Sequence, residues 1–133
     1  MGERGLRWTG ALVAAVGVIM LCLAAGDALA GVEIGGRGDN ALRGSAGANR
    51  LAGFDGGDTL YGAAGGDTLY GGAGDDEIYA GPGKDDVLGG AGDDFIEAKD
   101  GATDRVGCGP GTDSVSVDRG DLVYSDCESV YPG

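Results

Sequence analysis

Residues 71–97 fall into three nonamers in succession: GGAGDDEIY (71–79), AGPGKDDVL (80–88) and GGAGDDFIE (89–97). Each has glycine at its fourth place, aspartate at its sixth and an aliphatic residue at its eighth. A period of nine matches neither the 3.6-residue turn of a helix nor the two-residue alternation of a strand. The unit is therefore a supersecondary element that repeats. The same phase extends back without a gap through GGRGDNALR (35–43), GSAGANRLA (44–52), GFDGGDTLY (53–61) and GAAGGDTLY (62–70). Place four is Gly38, Gly47, Gly56, Gly65, Gly74, Gly83 and Gly92. Place six is Asn40, Asn49, Asp58, Asp67, Asp76, Asp85 and Asp94.

The phase gives each place a task. Glycines at places one, two and four allow tight turns with exposed carbonyls. Places seven to nine, such as TLY and EIY, are short strands whose central aliphatic faces one way and whose flanks face the other. A turn of six and a strand of three, repeated, winds a parallel coil. With two nonamers per coil, units two apart stack: Ile78 lies between Leu60 and Ile96, and Leu69 lies on Val87. Asp58, Asp76 and Asp94 then form a column on one edge, and Asp67 and Asp85 form another.

Neighbours in such a stack lie about 4.7–4.9 Å apart, and like charges at that spacing repel and raise one another's pKa values. A hard cation resolves the conflict. Calcium takes six to eight oxygens, mixing carboxylates with backbone carbonyls, whereas magnesium demands stricter octahedral geometry and fits less well. With neither cysteine nor histidine in residues 35–97, softer metals have no suitable donors.

Gly71-Gly72-Ala73-Gly74-Asp75-Asp76-Glu77-Ile78 and Gly89-Gly90-Ala91-Gly92-Asp93-Asp94-Phe95-Ile96 fit G-G-x-G-x-D-x-U-x, with U a large aliphatic, at every place. That pattern resembles the calcium-binding nonapeptide of the repeats-in-toxin (RTX, hemolysin-type) family. The resemblance implies an all-β fold, a parallel β-roll with calcium held between turns n and n+2. Asp58, Asp67, Asp76, Asp85 and Asp94 supply carboxylates, and the turns of Gly56, Gly65, Gly74, Gly83 and Gly92 supply carbonyls. Asn40 and Asn49 replace the aspartate, so the first two turns bind weakly or cap the N-terminal end. Ala80 and Pro82 depart from the pattern within a unit that keeps Asp85 and Val87. AKDGATDRVG (98–107) is one residue longer, which moves its carboxylate to Asp104, and CGPGTDSVS (108–116) regains the phase with Asp113. About five calcium ions are implied, between Asp58 and Asp76, Asp67 and Asp85, Asp76 and Asp94, Asp85 and Asp104, and Asp94 and Asp113.

The flanks set the context. Arg4 and Arg7 precede the apolar run ALVAAVGVIMLCLAAG (11–26) and the small residues Ala28 and Ala30. Residues 1–30 therefore read as a secretory signal peptide. The apolar run is shorter than the roughly 20 residues that span a bilayer. Residues 31–116 form the roll and 117–133 a C-terminal cap, because the period lapses there and a solenoid needs an atypical end unit. In a secreted chain the remaining pair, Cys108 and Cys127, suggests one disulfide, which would fasten that cap.

The formal charge is −13, and it stays so without the leader, since Arg4 and Arg7 leave with Glu3 and Asp27. Such acidity excludes a nucleic-acid partner. There are 31 glycines and 3 prolines among 133 residues, a proportion typical of low-complexity disorder that the strict period overrides. The absence of histidine removes the commonest general base, and the paired Asp75–Asp76 and Asp93–Asp94 sit in phase with the calcium motif. No catalytic and no organic-cofactor residue is identified.

The function that follows is a secreted, extracellular calcium-binding protein, not an enzyme, that is disordered without the ion and folds in millimolar calcium. The alternative is a calcium-dependent adhesin or carbohydrate-binding module with a cell-surface or glycan partner. It would use Tyr61 and Tyr79 on one face and Tyr70 on the other.

Overall fold

Each nonamer supplies one inward aliphatic flanked by outward residues, and a single strand of that kind cannot bury its apolar side alone. Stacking solves this. The computed structural model describes residues 31–133; the signal-peptide reading of residues 1–30 lies outside the described residues. Twelve strands follow in chain order: β1 (Gly31–Ile34), β2 (Ala41–Arg43), β3 (Asn49–Asp55), β4 (Thr59–Tyr61), β5 (Thr68–Ala73) and β6 (Glu77–Tyr79), then β7 (Asp86–Ala91), β8 (Phe95–Glu97), β9 (Arg105–Gly107), β10 (Ser114–Val117), β11 (Leu122–Val123) and β12 (Ser129–Pro132). Odd strands form one six-stranded parallel sheet in the order β1-β3-β5-β7-β9-β11. Even strands form the other, β2-β4-β6-β8-β10-β12. The chain is an all-β parallel solenoid of about six coils, two units per coil, with no helix among the described residues.

The registers are those of a strict eighteen-residue coil through the regular units. Leu60 pairs with Ile78 and Ile78 with Ile96, while Leu51 pairs with Leu69 and Leu69 with Val87. Leu60, Ile78 and Ile96 are wholly enclosed, and Val106 and Val115 continue the two ladders beyond the regular units. The core is thus a thin double column of aliphatics, one per half-coil through the regular units, joined by buried Ala80, Ala98, Cys108 and Val117 toward the C-terminal end, while the flanks of triplets such as β4 and β6 are not buried.

Two features depart from a uniform turn-and-triplet coil. On the odd sheet, β5 and β7 each run six residues, because pairing continues past the triplet through Gly72↔Gly90 and Ala73↔Ala91. The glycines there leave backbones free to approach, so strand pairing extends into the turn. The tail, whose sequence loses the period, nonetheless adds β11 and β12 in parallel register, Leu122↔Arg105 and Val115↔Val130. Cys108 and Cys127 are disulfide-bonded, 19 residues apart in sequence, so the last coil is tied to the one beneath it.

Place-four glycine is a backbone requirement. Gly74 has φ 122°, a region that L side chains rarely adopt, and a Cβ there would collide with the Gly56 carbonyl in the coil below. Gly74→Ala is expected to cost about 1–3 kcal/mol from the dihedral alone, read as a lowered midpoint in denaturant unfolding. Reducing Cys108–Cys127 should lower stability by roughly 3 kcal/mol, the chain-entropy value for a loop of this length, measured in the same way with and without reductant.

Candidate metal centre

The turns between strands position the place-six side chains. The short strand begins at place seven, so its direction turns the preceding residue into the coil, where the next coil on the same edge covers it. All seven aspartates at or in line with this place are buried: Asp58, Asp67, Asp76, Asp85, Asp94, Asp104 and Asp113. Their carboxylates link coil to coil. The backbone N–H of Asp58 donates to Asp76 Oδ1, that of Asp76 to Asp94 Oδ1 and that of Asp94 to Asp113 Oδ1, at 2.7–2.9 Å. On the opposite edge Asp67 N–H donates to Asp85 Oδ1 and Asp85 N–H to Asp104 Oδ1, at 2.7 and 2.8 Å. Each of the five aspartate pairs named from the sequence is joined by one such bond.

The second oxygen of every one of these carboxylates has no partner. Oδ2 of all seven is buried without a hydrogen bond, although buried polar atoms are satisfied in the great majority of cases. Seven repeats of one omission, at equivalent positions, mark a common role. A Cβ added at Gly71 would meet both Asp76 Oδ2 and the Gly89 carbonyl oxygen, and one at Gly53 would meet Asp58 Oδ2 and the Gly71 carbonyl. The bare carboxylate oxygen and a carbonyl of the next coil therefore converge on a space that glycine at place one keeps open. Oxygen donors of both kinds, with no sulfur or imidazole, suit calcium.

The two asparagine turns are built differently. Asn40 and Asn49 donate their backbone N–H groups to Asp58 and Asp67 Oδ1, like the aspartates above them. Their own side-chain oxygens, however, accept N–H groups from Gly36 and Ser45 at 2.7 Å. In the aspartate turns other than the lengthened one of Asp104, place two instead has φ between 73° and 109°, at Phe54, Ala63, Gly72, Gly81, Gly90 and Gly109. No such bond reaches the carboxylate; Gly90 N–H goes to the Cys108 carbonyl at 2.8 Å. Holding Phe54 and Ala63 at positive φ is costly for residues with a Cβ. The strain is confined to turns that keep a carboxylate oxygen bare.

The place-four glycines serve the backbone around these carboxylates. Gly56, Gly65, Gly74 and Gly92 donate to the carbonyls of Ala73, Pro82, Ala91 and Pro110, at 2.8–3.0 Å. Gly83 alone of the five donates to a side chain, Asp100 Oδ2, at 2.8 Å.

Three residues of the ladder were not identified from the sequence. Asp104 N–H donates to Asp121 Oδ1 at 2.9 Å, and Asp113 N–H to Glu128 Oε2 at 2.8 Å. The tail therefore continues both columns, and carboxylates 17 and 15 residues beyond Asp104 and Asp113 were the available signal. Asp121 Oδ2 also accepts, from Asp118 N–H at 2.6 Å, so that carboxylate is satisfied on both sides. The third is Asp100.

The family model described as "RTX calcium-binding nonapeptide repeat (4 copies)" matches residues 34–69 and 62–96. Neither the search of curated proteins nor that of solved structures returned a match.

Burial raises the carboxyls of Asp58, Asp67, Asp76, Asp85, Asp94, Asp104 and Asp113. Asp85 and Asp94 are pushed up to about 7, and Asp76 and Asp104 to about 6, by desolvation first and by neighbouring carboxylates second, against the backbone hydrogen bonds that lower them. A carboxyl that holds its proton more firmly when folded favours the folded state at low pH. Without a cation, stability should then fall as pH rises from about 4 through about 7. The expected outcome is more β-signal in far-UV circular dichroism at pH 4.5 than at pH 7.5 for chelator-treated protein. With calcium the order reverses, because the ion competes with protons for the same oxygens.

Proposed function

Residues 34–96 are RTX calcium-binding nonapeptide repeats, and from that premise we propose that this is a secreted, non-enzymatic protein whose roll is ordered by several calcium ions bound between stacked turns. The supporting observation is the set of seven buried, unpartnered Oδ2 atoms, four of which, those of Asp58, Asp67, Asp76 and Asp94, face space that a place-one glycine keeps clear. Asp58 with Asp76, Asp76 with Asp94, and Asp94 with Asp113 would hold ions on one edge. Asp67 with Asp85, and Asp85 with Asp104, would hold them on the other. Calcium there supplies the positive charge that lets ionised carboxylates share a buried column. The chain's own residues do the rest: Oδ1 ties coil to coil, and place-one glycine leaves room in the turns of Asp58, Asp67, Asp76 and Asp94.

Asn40 and Asn49 close the N-terminal turns without an ion. Their amide oxygens are already bonded within the turn, and they bring no charge that needs balancing.

Metal and folding are one equilibrium in such a protein. One aliphatic per half-coil is a small return against a backbone ordering cost of about 1–2 kcal/mol per residue. Ion binding to the folded state alone makes up the difference by linkage. Affinities on the order of 10⁻⁴–10⁻³ M, usual for extracellular calcium modules, leave the chain unfolded where calcium is scarce and folded outside the cell.

The adhesin alternative draws on the aromatic ladder of the even sheet. There Tyr61 and Tyr79 stack with centroids 5.0 Å apart, and the Arg43 guanidinium lies 4.4 Å over the Tyr61 ring. These groups are engaged with one another, the usual cross-strand arrangement, so the ladder is accounted for without a glycan.

Chelator-treated protein should gain a β-type far-UV spectrum on titration to millimolar calcium. Asp76→Ala, which removes a carboxylate shared by two of the proposed sites, should lower the calorimetric ion count and raise the calcium midpoint several-fold. An unchanged spectrum between chelator and saturating calcium would sink the proposal.

A further inference from the structure

The inserted residue in 98–107 changes the chemistry of one turn. In the regular turns the N–H of place-four glycine donates to the place-three carbonyl of the coil above: Gly65 to Pro82, Gly74 to Ala91, Gly92 to Pro110. In the lengthened turn Asp100 occupies place three, and its carboxylate replaces the carbonyl by accepting Gly83 N–H at 2.8 Å. Its other oxygen accepts Ala102 N–H at 2.7 Å, which orients the side chain. A full negative charge stands where the other turns present a neutral carbonyl.

That charge lies beside two of the buried carboxylates. Oxygens of Asp85, Asp100 and Asp104 all lie within 4.8 Å of one another, the one such group of three among the described residues. Asp85 and Asp104 are 2% and 0% exposed, and each has an Oδ2 with no partner. Asp100 is exposed and opens the group to solvent. Among the described residues the one ion pair is Arg105–Asp86 at 3.3 Å, so none of their cationic side chains pairs with the three. Place one is Ala80 in the Asp85 turn and Ala98 in the Asp104 turn. The glycine of the regular turns is absent from both, and what distinguishes this site is its third carboxylate.

We infer that Asp85, Asp100 and Asp104 form a three-carboxylate site that takes a hard divalent cation more tightly than the two-aspartate sites of the roll, and so fills first. The inference rests on the calcium reading above. Its physical basis is ligand charge: calcium affinity rises with the number of carboxylates around the ion, and this site has three where the others have two. The first ion then orders the coils that carry β7 and β9, next to the disulfide-tied end. It stabilises the stack onto which the remaining turns add.

Calorimetric titration of calcium into the chelator-treated full chain should resolve one ion bound roughly tenfold or more tighter than the rest. Asp100→Asn should weaken that ion by roughly tenfold, with the total ion count and the far-UV spectrum at saturating calcium unchanged. Asp75→Asn is the control. It removes the same charge from an exposed aspartate that likewise accepts a turn N–H, from Asp93 at 2.8 Å, and should leave the tight ion in place. A tight ion that survives Asp100→Asn, or is lost equally in Asp75→Asn, overturns the inference. Competition with a graded series of chelators on the unmodified protein tests it without any variant: one ion should come off last, and release of all ions together overturns it. Complete absence of calcium binding would instead overturn the function proposed for the roll.

Discussion

A buried carboxylate shared between two coils is the constraint on which the rest of this structure depends. Each aspartate uses one oxygen to accept a backbone N–H from the turn below and leaves the other bare. The hydrogen bond fixes the stacking register, because a slip by one residue would take the carboxylate out of reach of that N–H and turn the aliphatic outward. The bare oxygen creates the opposite pressure, since burying an unpaired charge is expensive. Architecture and instability come from one side chain, and a cation that accepts carbonyls alongside carboxylates would remove the instability without disturbing the architecture.

The two ends of the column avoid that pressure in different ways. At the start, asparagine keeps the coil-to-coil bond but replaces the charge with an amide whose oxygen is satisfied by a local N–H. Toward the end, Asp121 completes the ladder with both of its oxygens bonded, and Cys108–Cys127 ties the last coil covalently. Between these ends the turns of Asp58, Asp67, Asp76, Asp85 and Asp94 hold their place-two residues at positive φ, even where that residue is Phe54 or Ala63. The carboxylate oxygens remain bare only in that middle region and in the turns of Asp104 and Asp113 that follow it.

The outer faces belong to a different economy. Arg43, Tyr61, Tyr79 and Phe95 stack along the even sheet, and on the odd sheet Arg105 pairs with Asp86 in the open. These contacts run along the coil axis, between residues that the eighteen-residue repeat places side by side. They support the stack laterally, while the aspartate columns hold its two edges.

The repeat itself was legible in the sequence. A nine-residue phase of glycine, acid and aliphatic leaves few ways to hide the aliphatic and turn the chain, and it determined the parallel coil, the pairing of Leu60 with Ile78, and the in-phase members of both aspartate columns. Where the phase slips, the sequence loses its authority. Asp121 and Glu128 join the columns from a tail whose spacing no longer announces them, because the coil tolerates shortened turns as long as a carboxylate still reaches the N–H below. Asp100 could not be singled out either, since an insertion does not say which neighbouring oxygen it displaces. Only the stacked coil decides that, by bringing residues of different turns within a few ångströms, where proximity to Gly83, Asp85 and Asp104 gives one carboxylate a role that its place in the chain does not reveal.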